Sequence, residues 1–320
     1  MIGIGLIGGS LLRATAKAGR TIWGATQSEE EAETARADGY DIASSTEEAL
    51  KRAAAREAIV VLAVPLTAVE AVIRQVAVIA PGCLLTDVVS VKQPVAELVE
   101  RIAPEAGYVG GHPMAGTTRS GWPAGDAELF TGAAWVACID HGTDLTHWRQ
   151  VAELALDIGA EVVPVTAAQH DAAVARISHL PHLFAAVLAG IGAEGGPLTL
   201  SLAAGSFTDG TRVAATRPEL TRAMTEGNRA ALLPAVDAAL GMLGAARGAL
   251  ASTGSLGATL NNGHQGALAF AATKQDSRTK VRIDLAAEDA AEALLALGEQ
   301  GGRVTAIADR VATGSVPISA

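Results

Sequence analysis

Along the first half of the chain, short apolar runs alternate with longer stretches in which small apolar residues return every three or four positions. The runs at 21–25, 58–64, 84–88, 108–110, 134–139 and 161–165 have the length and composition of strands. The stretches at 29–38, 68–79 and 91–102 carry the helical period. This alternation predicts βαβ units around a mostly parallel sheet. After about residue 166 the pattern changes. Ala/Leu-rich segments at 167–177, 182–193, 198–204, 218–247 and 265–270 read as helices broken by Gly and Pro. The tail holds a strand-like run at 280–284, a helical one at 288–297, and then "GRVTAIAD".

Composition narrows the picture. Hydrophobic residues make up 49% of the 320 positions but aromatics only 3%, so the core is expected from Ala, Val, Leu and Ile. A net charge of −10 without a dense Lys/Arg cluster argues against a nucleic-acid partner. Cys83 and Cys138 are too few for a disulfide scaffold and lack metal-ligand spacing, which fits a reducing cytoplasm. No apolar run is read as reaching transmembrane length, and the apolar start "MIGIGLIGGSLL" lacks a basic leader. The expectation is a cytoplasmic protein with no membrane partner.

The start has a better explanation. Gly3, Gly5 and Gly8 stand in G-x-G-x-x-G spacing before the helical run 11–18. The first glycine permits a tight turn, the second lets backbone approach a pyrophosphate, and the third lets helix and strand pack closely. Only Met1 and Ile2 precede Gly3, so the first strand is nearly missing. The fold class expected is α/β: an N-terminal Rossmann-like dinucleotide-binding domain over 1–166, then an all-helical domain over 167–320 with a small C-terminal appendage. At the end of the second strand an acidic residue would bind a ribose 2′-hydroxyl and an Arg would suit a 2′-phosphate. Thr26 occupies that place, so neither signal is present. Ser28 and Glu31 form an S-x-x-E capping box, yet three consecutive glutamates would also repel a 2′-phosphate. NAD is therefore the expected cofactor, with NADP left open.

Three further stretches carry polar groups. "TDVVSVKQPV" sets Asp87, Ser90 and Lys92 at the C-terminal end of a strand, where open α/β sheets bind ligands; Ser90 could equally cap the next helix. "GGHPMAGTTRSG" is a poor helix and a poor central strand, and reads as a tight loop that leaves His112 bare. "HDAAVARISHLPHL" holds His170, His179 and His182, with His179 at a helix break before Pro181. No metalloprotease spacing is present and carboxylates are sparse, so no metal site is expected. "AAGSFTDGTRVA" sets Asp209 and Arg212 in a Gly-containing turn. Arg212 is either a carboxylate clamp or the structural partner of Asp209.

Six segments in order, "GLIGGS" (5–10), "VVLAVP" (60–65), "DVVSVK" (87–92), "GHPMAG" (111–116), "SHLPH" (178–182) and "FTDGTR" (207–212), resemble the prephenate/arogenate dehydrogenases of tyrosine biosynthesis. The resemblance spans roughly residues 1–230. It implies oxidation of a ring hydroxyl by hydride transfer to a nicotinamide, loss of the ring carboxylate and aromatisation. It implies His112 as base and Ser90 as the group orienting it. Arg212, Thr117, His179, Asp209 and Gly205 would lie toward substrate. Gly3, Gly5, Leu6, Ile7, Gly8, Thr26, Val64, Pro65 and Asp87 would lie toward cofactor. A homodimer through the helical half is also implied. The chain departs from many relatives at Thr118, where they carry an acid, and at Thr221, where they often carry a Trp. Both positions bear on the choice between prephenate and arogenate. The absence of any Lys between Lys92 and Lys274 argues against two-domain hydroxyacid dehydrogenases that use a lysine of the second domain.

Overall fold

The alternation in the first half is realised as parallel pairing. Strands β1 (Val60–Leu62), β2 (Leu84–Asp87) and β3 (Gly107–Val109) lie side by side in that order, and helices Leu66–Ile79 and Gln93–Ile102 cross between them. The computed structural model describes residues 1–117, 119–273 and 277–318. Ile2 bridges both Leu62 and Ala25, and Gly24 bridges Ile42. The first strand is thus one bridging residue, so the run 21–25 has no partner long enough to pair along its length.

Past Gly110 the chain moves to a second sheet. Strands β4 (Gly111–Pro113), β5 (Ala134–Cys138), β6 (Glu161–Val165), β7 (Arg278–Asp284), β8 (Arg303–Ala308) and β9 (Val311–Pro317) stand in the order β4-β5-β6-β8-β9-β7. Only β5 and β6 run parallel among the registers described; β4–β5, β6–β8 and β8–β9 are antiparallel. The expectation of a mostly parallel sheet therefore holds for the first sheet alone. His112 lies not in a loop but on β4, opposite Val136. Pro113 is tolerated because β4 is an edge strand.

The chain divides into two units, Met1–His170 with Arg278–Val316, and Asp171–Ser277. The tail was expected to append to the helical half. It belongs instead to the first unit, where Val304 pairs with Val162 and helix Ala290–Glu299 packs so tightly on β6 that a Cβ at Gly298 would strike the Pro164 carbonyl. The core follows the composition in one respect and departs in another. Ala, Val, Leu and Ile dominate it, but the scarce aromatics are concentrated there, with Trp122, Trp135, Trp148 and Phe130 fully buried.

The helical unit is built on Ala175, Leu232 and Ala235, packed with Leu180, Ala231 and Val236. The break expected before Pro181 does not occur. Residues Ala175–His179 form a π-helical turn that joins Ala167–Val174 to Leu180–Glu194. Proline removes an N–H and crowds the preceding turn, and the wider turn absorbs both effects. The resulting helix Ala167–Glu194, like Arg229–Ser252, is long and apolar enough by length and composition to cross a membrane. This corrects the sequence expectation, which counted runs between polar interruptions rather than whole helices.

Candidate active site

The glycines perform distinguishable tasks. Gly3 adopts φ +93°, and a Cβ there would meet the Ala63 carbonyl oxygen. A Cβ at Gly8 would collide with the Gly3 carbonyl oxygen, so this glycine brings helix Leu6–Lys17 against the strand. At Gly5, nothing lies within 4 Å of where a Cβ would stand. Gly5 is also the helix N-cap, without a side-chain cap and with no acid in the first turn. Bare N–H groups, the positive end of the helix and open space beside Gly5 fit a pyrophosphate. Leu6 and Ile7 form the first turn, and Val64 and Pro65 follow β1 beside Gly3.

Thr26 ends the extended segment next to Gly3, whose N–H donates to Ala25. Its hydroxyl donates to Glu31 Oε2 at 3.4 Å and accepts from the Ser28 N–H at 3.2 Å. The Glu31 N–H donates to Ser28 Oγ, which caps the helix, but the reciprocal bond of a capping box is not made, since the Ser28 N–H goes to Thr26. Glu31 Oε1 accepts from the Trp122 N–H at 3.2 Å. An acidic group from the next helix thus lies against Thr26.

Asp87 and Lys92 behave differently from the expectation that Asp87 faces the cofactor. Both side chains are 0% exposed and paired. Asp87 Oδ1 accepts from Lys92 Nζ and the Val89 N–H, and Oδ2 accepts from the Tyr108 hydroxyl at 2.7 Å. Burial, then the Asp87 charge, hold the Tyr108 hydroxyl well above its ordinary pKa, so it remains a donor. Lys92 also donates to the Gly111 carbonyl at 2.6 Å, one residue before His112. The Asp87 carboxylate is therefore turned to Lys92, Val89 and Tyr108 and away from solvent. Ser90 lies in the loop between them. Helix Gln93–Ile102 takes Lys92 as its N-cap position and has no side-chain cap, so Ser90 is not its cap.

His112 is half-buried, and its Nδ1 stands 2.8 Å from His170 Nε2. His170 sits one turn into the helix that follows β6. Thr117, on the chain after β4, is exposed, its hydroxyl accepting from the Arg119 N–H; Thr118 lies outside the described residues.

In the helical unit, His179 is buried, with Nδ1 3.0 Å from the Asn228 amide nitrogen, which also donates to the Asp171 carbonyl. Gly205 begins the helix Gly205–Thr211, and Asp209 and Arg212 are exposed at its end. Among the described residues no ion pair joins Arg212 to Asp209, which removes the structural alternative for Arg212. Arg212 lies near His182. Burial chiefly, and the Arg212 charge after it, lower the His182 pKa against a hydrogen bond to the Val213 backbone. Among the described residues, no group of three or more His, Cys, Asp or Glu could hold a metal ion. The sequence reading missed the joining of His112 to His170, which has no local signal; of the three glutamates it read against a 2′-phosphate, Glu31 is the one that meets Thr26.

A glycine-rich turn opening a helix at the head of a parallel sheet, followed by a separate helical unit, defines the class as a two-unit protein with a nucleotide-binding fold. The model of the prephenate dehydrogenase nucleotide-binding domain matches residues 10–164, and that of the prephenate dehydrogenase dimerization domain matches residues 166–253. The chain belongs to the prephenate dehydrogenase family. It is 33% identical to a prephenate dehydrogenase of Bacillus subtilis over 74% of this chain and 66% of that protein, and so spans just under two thirds of that relative's length. It is 32% identical to a cyclohexadienyl dehydrogenase of Zymomonas mobilis over 79% of this chain and 88% of that one. A crystal structure assigned as a prephenate dehydrogenase from Corynebacterium glutamicum is 42% identical, with a TM-score of 0.89, covering 94% of this chain and 96% of the other.

Proposed function

We propose that the protein oxidises prephenate to 4-hydroxyphenylpyruvate in the cytoplasm, with NAD as hydride acceptor. The observation that carries the reading is His112, held on an edge strand at the end of the cluster formed by Asp87, Lys92 and Gly111. Bound at the glycine turn, the nicotinamide would supply one thing, an acceptor for the hydride leaving the carbinol carbon. His112 Nε2 takes the hydroxyl proton as the carbonyl forms, a step suited to an imidazole near neutral pH. Ser90 orients the hydroxyl. The bond to the ring carboxylate then breaks, CO2 leaves, and its electron pair aromatises the ring. The phenolate oxygen takes back a proton, so atoms and charge balance. Arg212 holds a substrate carboxylate through charge-assisted hydrogen bonds.

Support for NAD comes from Glu31. Its carboxylate lies against Thr26, where a 2′-phosphate would add negative charge beside it. A homodimer through the helical unit is supported by the exposed apolar residues of that unit, among them Ile177, Ile191, Leu240 and Met242. A second reading, arogenate, is favoured by one observation: Asp209 is not taken up by Arg212 and so could receive an ammonium group. The deciding experiment is kcat/KM for both compounds with NAD and NADP. Turnover of neither would overturn the proposal. A tenfold preference for arogenate, about 1.4 kcal/mol, would move the substrate assignment to the second reading.

A further inference from the structure

The pair His112–His170 carries an inference that rests on His112 being the base. The two rings meet edge to face, with centroids 5.1 Å apart and planes at 77°. Their nitrogens Nδ1 and Nε2 are 2.8 Å apart. A hydrogen bond between two ring nitrogens holds one proton, so one ring donates and the other accepts.

Both rings are fixed from the backbone. His112 is held by its pairing on β4 and by the Lys92 bond to the Gly111 carbonyl. His170 is 3% exposed. Its helix starts at a reciprocal capping box, in which Gln169 N–H donates to Thr166 Oγ1 at 3.1 Å and Thr166 N–H donates to Gln169 Oε1 at 2.9 Å. The Ala167 N–H donates to Asp140 Oδ1 at 2.9 Å, which pins the same turn a second time.

Only one of the two proton arrangements is compatible with catalysis. If His170 Nε2–H donated, a neutral His112 would carry its proton on Nε2 and could not accept one there. If His112 Nδ1–H donates, Nε2 keeps its lone pair. We propose that His170 is a positioning residue: its Nε2 accepts from His112 Nδ1–H, fixes the tautomer in which Nε2 carries the lone pair of the base, and holds the ring plane. When His112 Nε2 gains the substrate proton, Nδ1–H still donates to His170, so no second proton moves. His170 thus does for His112 what a carboxylate does in many catalytic pairs.

The test combines spectroscopy and kinetics on the full chain. With ring-15N-labelled histidine, proton–nitrogen correlation spectra of the apo-protein near neutral pH should show His112 Nε2 unprotonated and Nδ1 protonated. The opposite assignment in the wild type would overturn the proposal without any variant. His170→Leu should lower kcat by about 10–10²-fold, a share of the 10²–10⁴-fold that general-base catalysis supplies, with dinucleotide Kd within about twofold. His170→Gln places an amide oxygen within reach of Nδ1 and should restore most of the loss, which a purely space-filling role would not predict. His112→Asn, measured in parallel, separates the two levels. If it lowers kcat by about 10²–10⁴-fold while His170→Leu leaves kcat unchanged, the positioning role fails and the base stands. If His112→Asn itself retains kcat, the base assignment fails and takes this inference with it. Should His170→Leu not fold, the spectra and His170→Gln still decide.

Discussion

Lys92 and Asp87 illustrate what a buried ion pair does at the scale of single residues. Removing one partner leaves the other charge stranded, a change that typically costs about 3–5 kcal/mol. Lys92→Met should therefore lower the denaturation midpoint strongly, as urea titration would record, whereas an exposed pair such as Lys51–Glu47 should be nearly silent. His112→Asn should leave dinucleotide affinity intact and lower kcat by about 10²–10⁴-fold. Arg212→Ala should act on KM instead, by roughly 10–150-fold for a charge-assisted pair of about 1.5–3 kcal/mol. Unchanged KM with normal folding would remove Arg212 from the substrate. Glu31→Gln should narrow the preference for NAD over NADP in calorimetric titrations, and an unaltered ratio would leave Glu31 as a cap alone. Residue identity made His112, Ser90 and Arg212 legible as chemistry. It could not show that Asp87 is saturated by three donors, because two of those donors come from other elements.

Elements separate the glycines of the phosphate turn. Gly5→Ala meets nothing in the folded chain and keeps an ordinary φ of −64°, so the protein should melt within a few degrees of wild type yet lose most dinucleotide affinity. Gly8→Ala strikes the Gly3 carbonyl and should destabilise the fold itself. Thermal melts with and without dinucleotide would separate the two effects, and equal behaviour would contradict the division of labour. Glycine spacing alone made both tasks legible. The π turn at Ala175–His179 was not, since a Leu-Pro step reads as a boundary and only tertiary packing keeps such a helix running. His112 was misjudged as a loop residue for a related reason. Strand propensity scores a central strand, and β4 is an edge.

For the whole molecule, the helical unit exposes apolar side chains along two long helices, which points to a second copy. Light scattering at micromolar concentration should give twice the chain mass. A monomer would contradict this, and binding to neutral lipid vesicles would favour the membrane alternative that the length of those helices allows. The α/β half, followed by helices, was legible from periodicity. The destination of the tail was not. Its strand signals were local and correct, but Val304 finds Val162 across 142 positions of sequence, and nothing near either residue announces the other.

That return pairing has a consequence for synthesis. On the ribosome, β6 emerges long before β8, with the whole helical unit translated in between. Until the last strands arrive, the nascent first unit leaves β6 as an unpaired edge in addition to β4, the kind of edge that seeds association between incomplete chains. The protein is therefore most vulnerable not when its first domain is being made but in the interval after, and a slow codon within the helical segment would lengthen that interval.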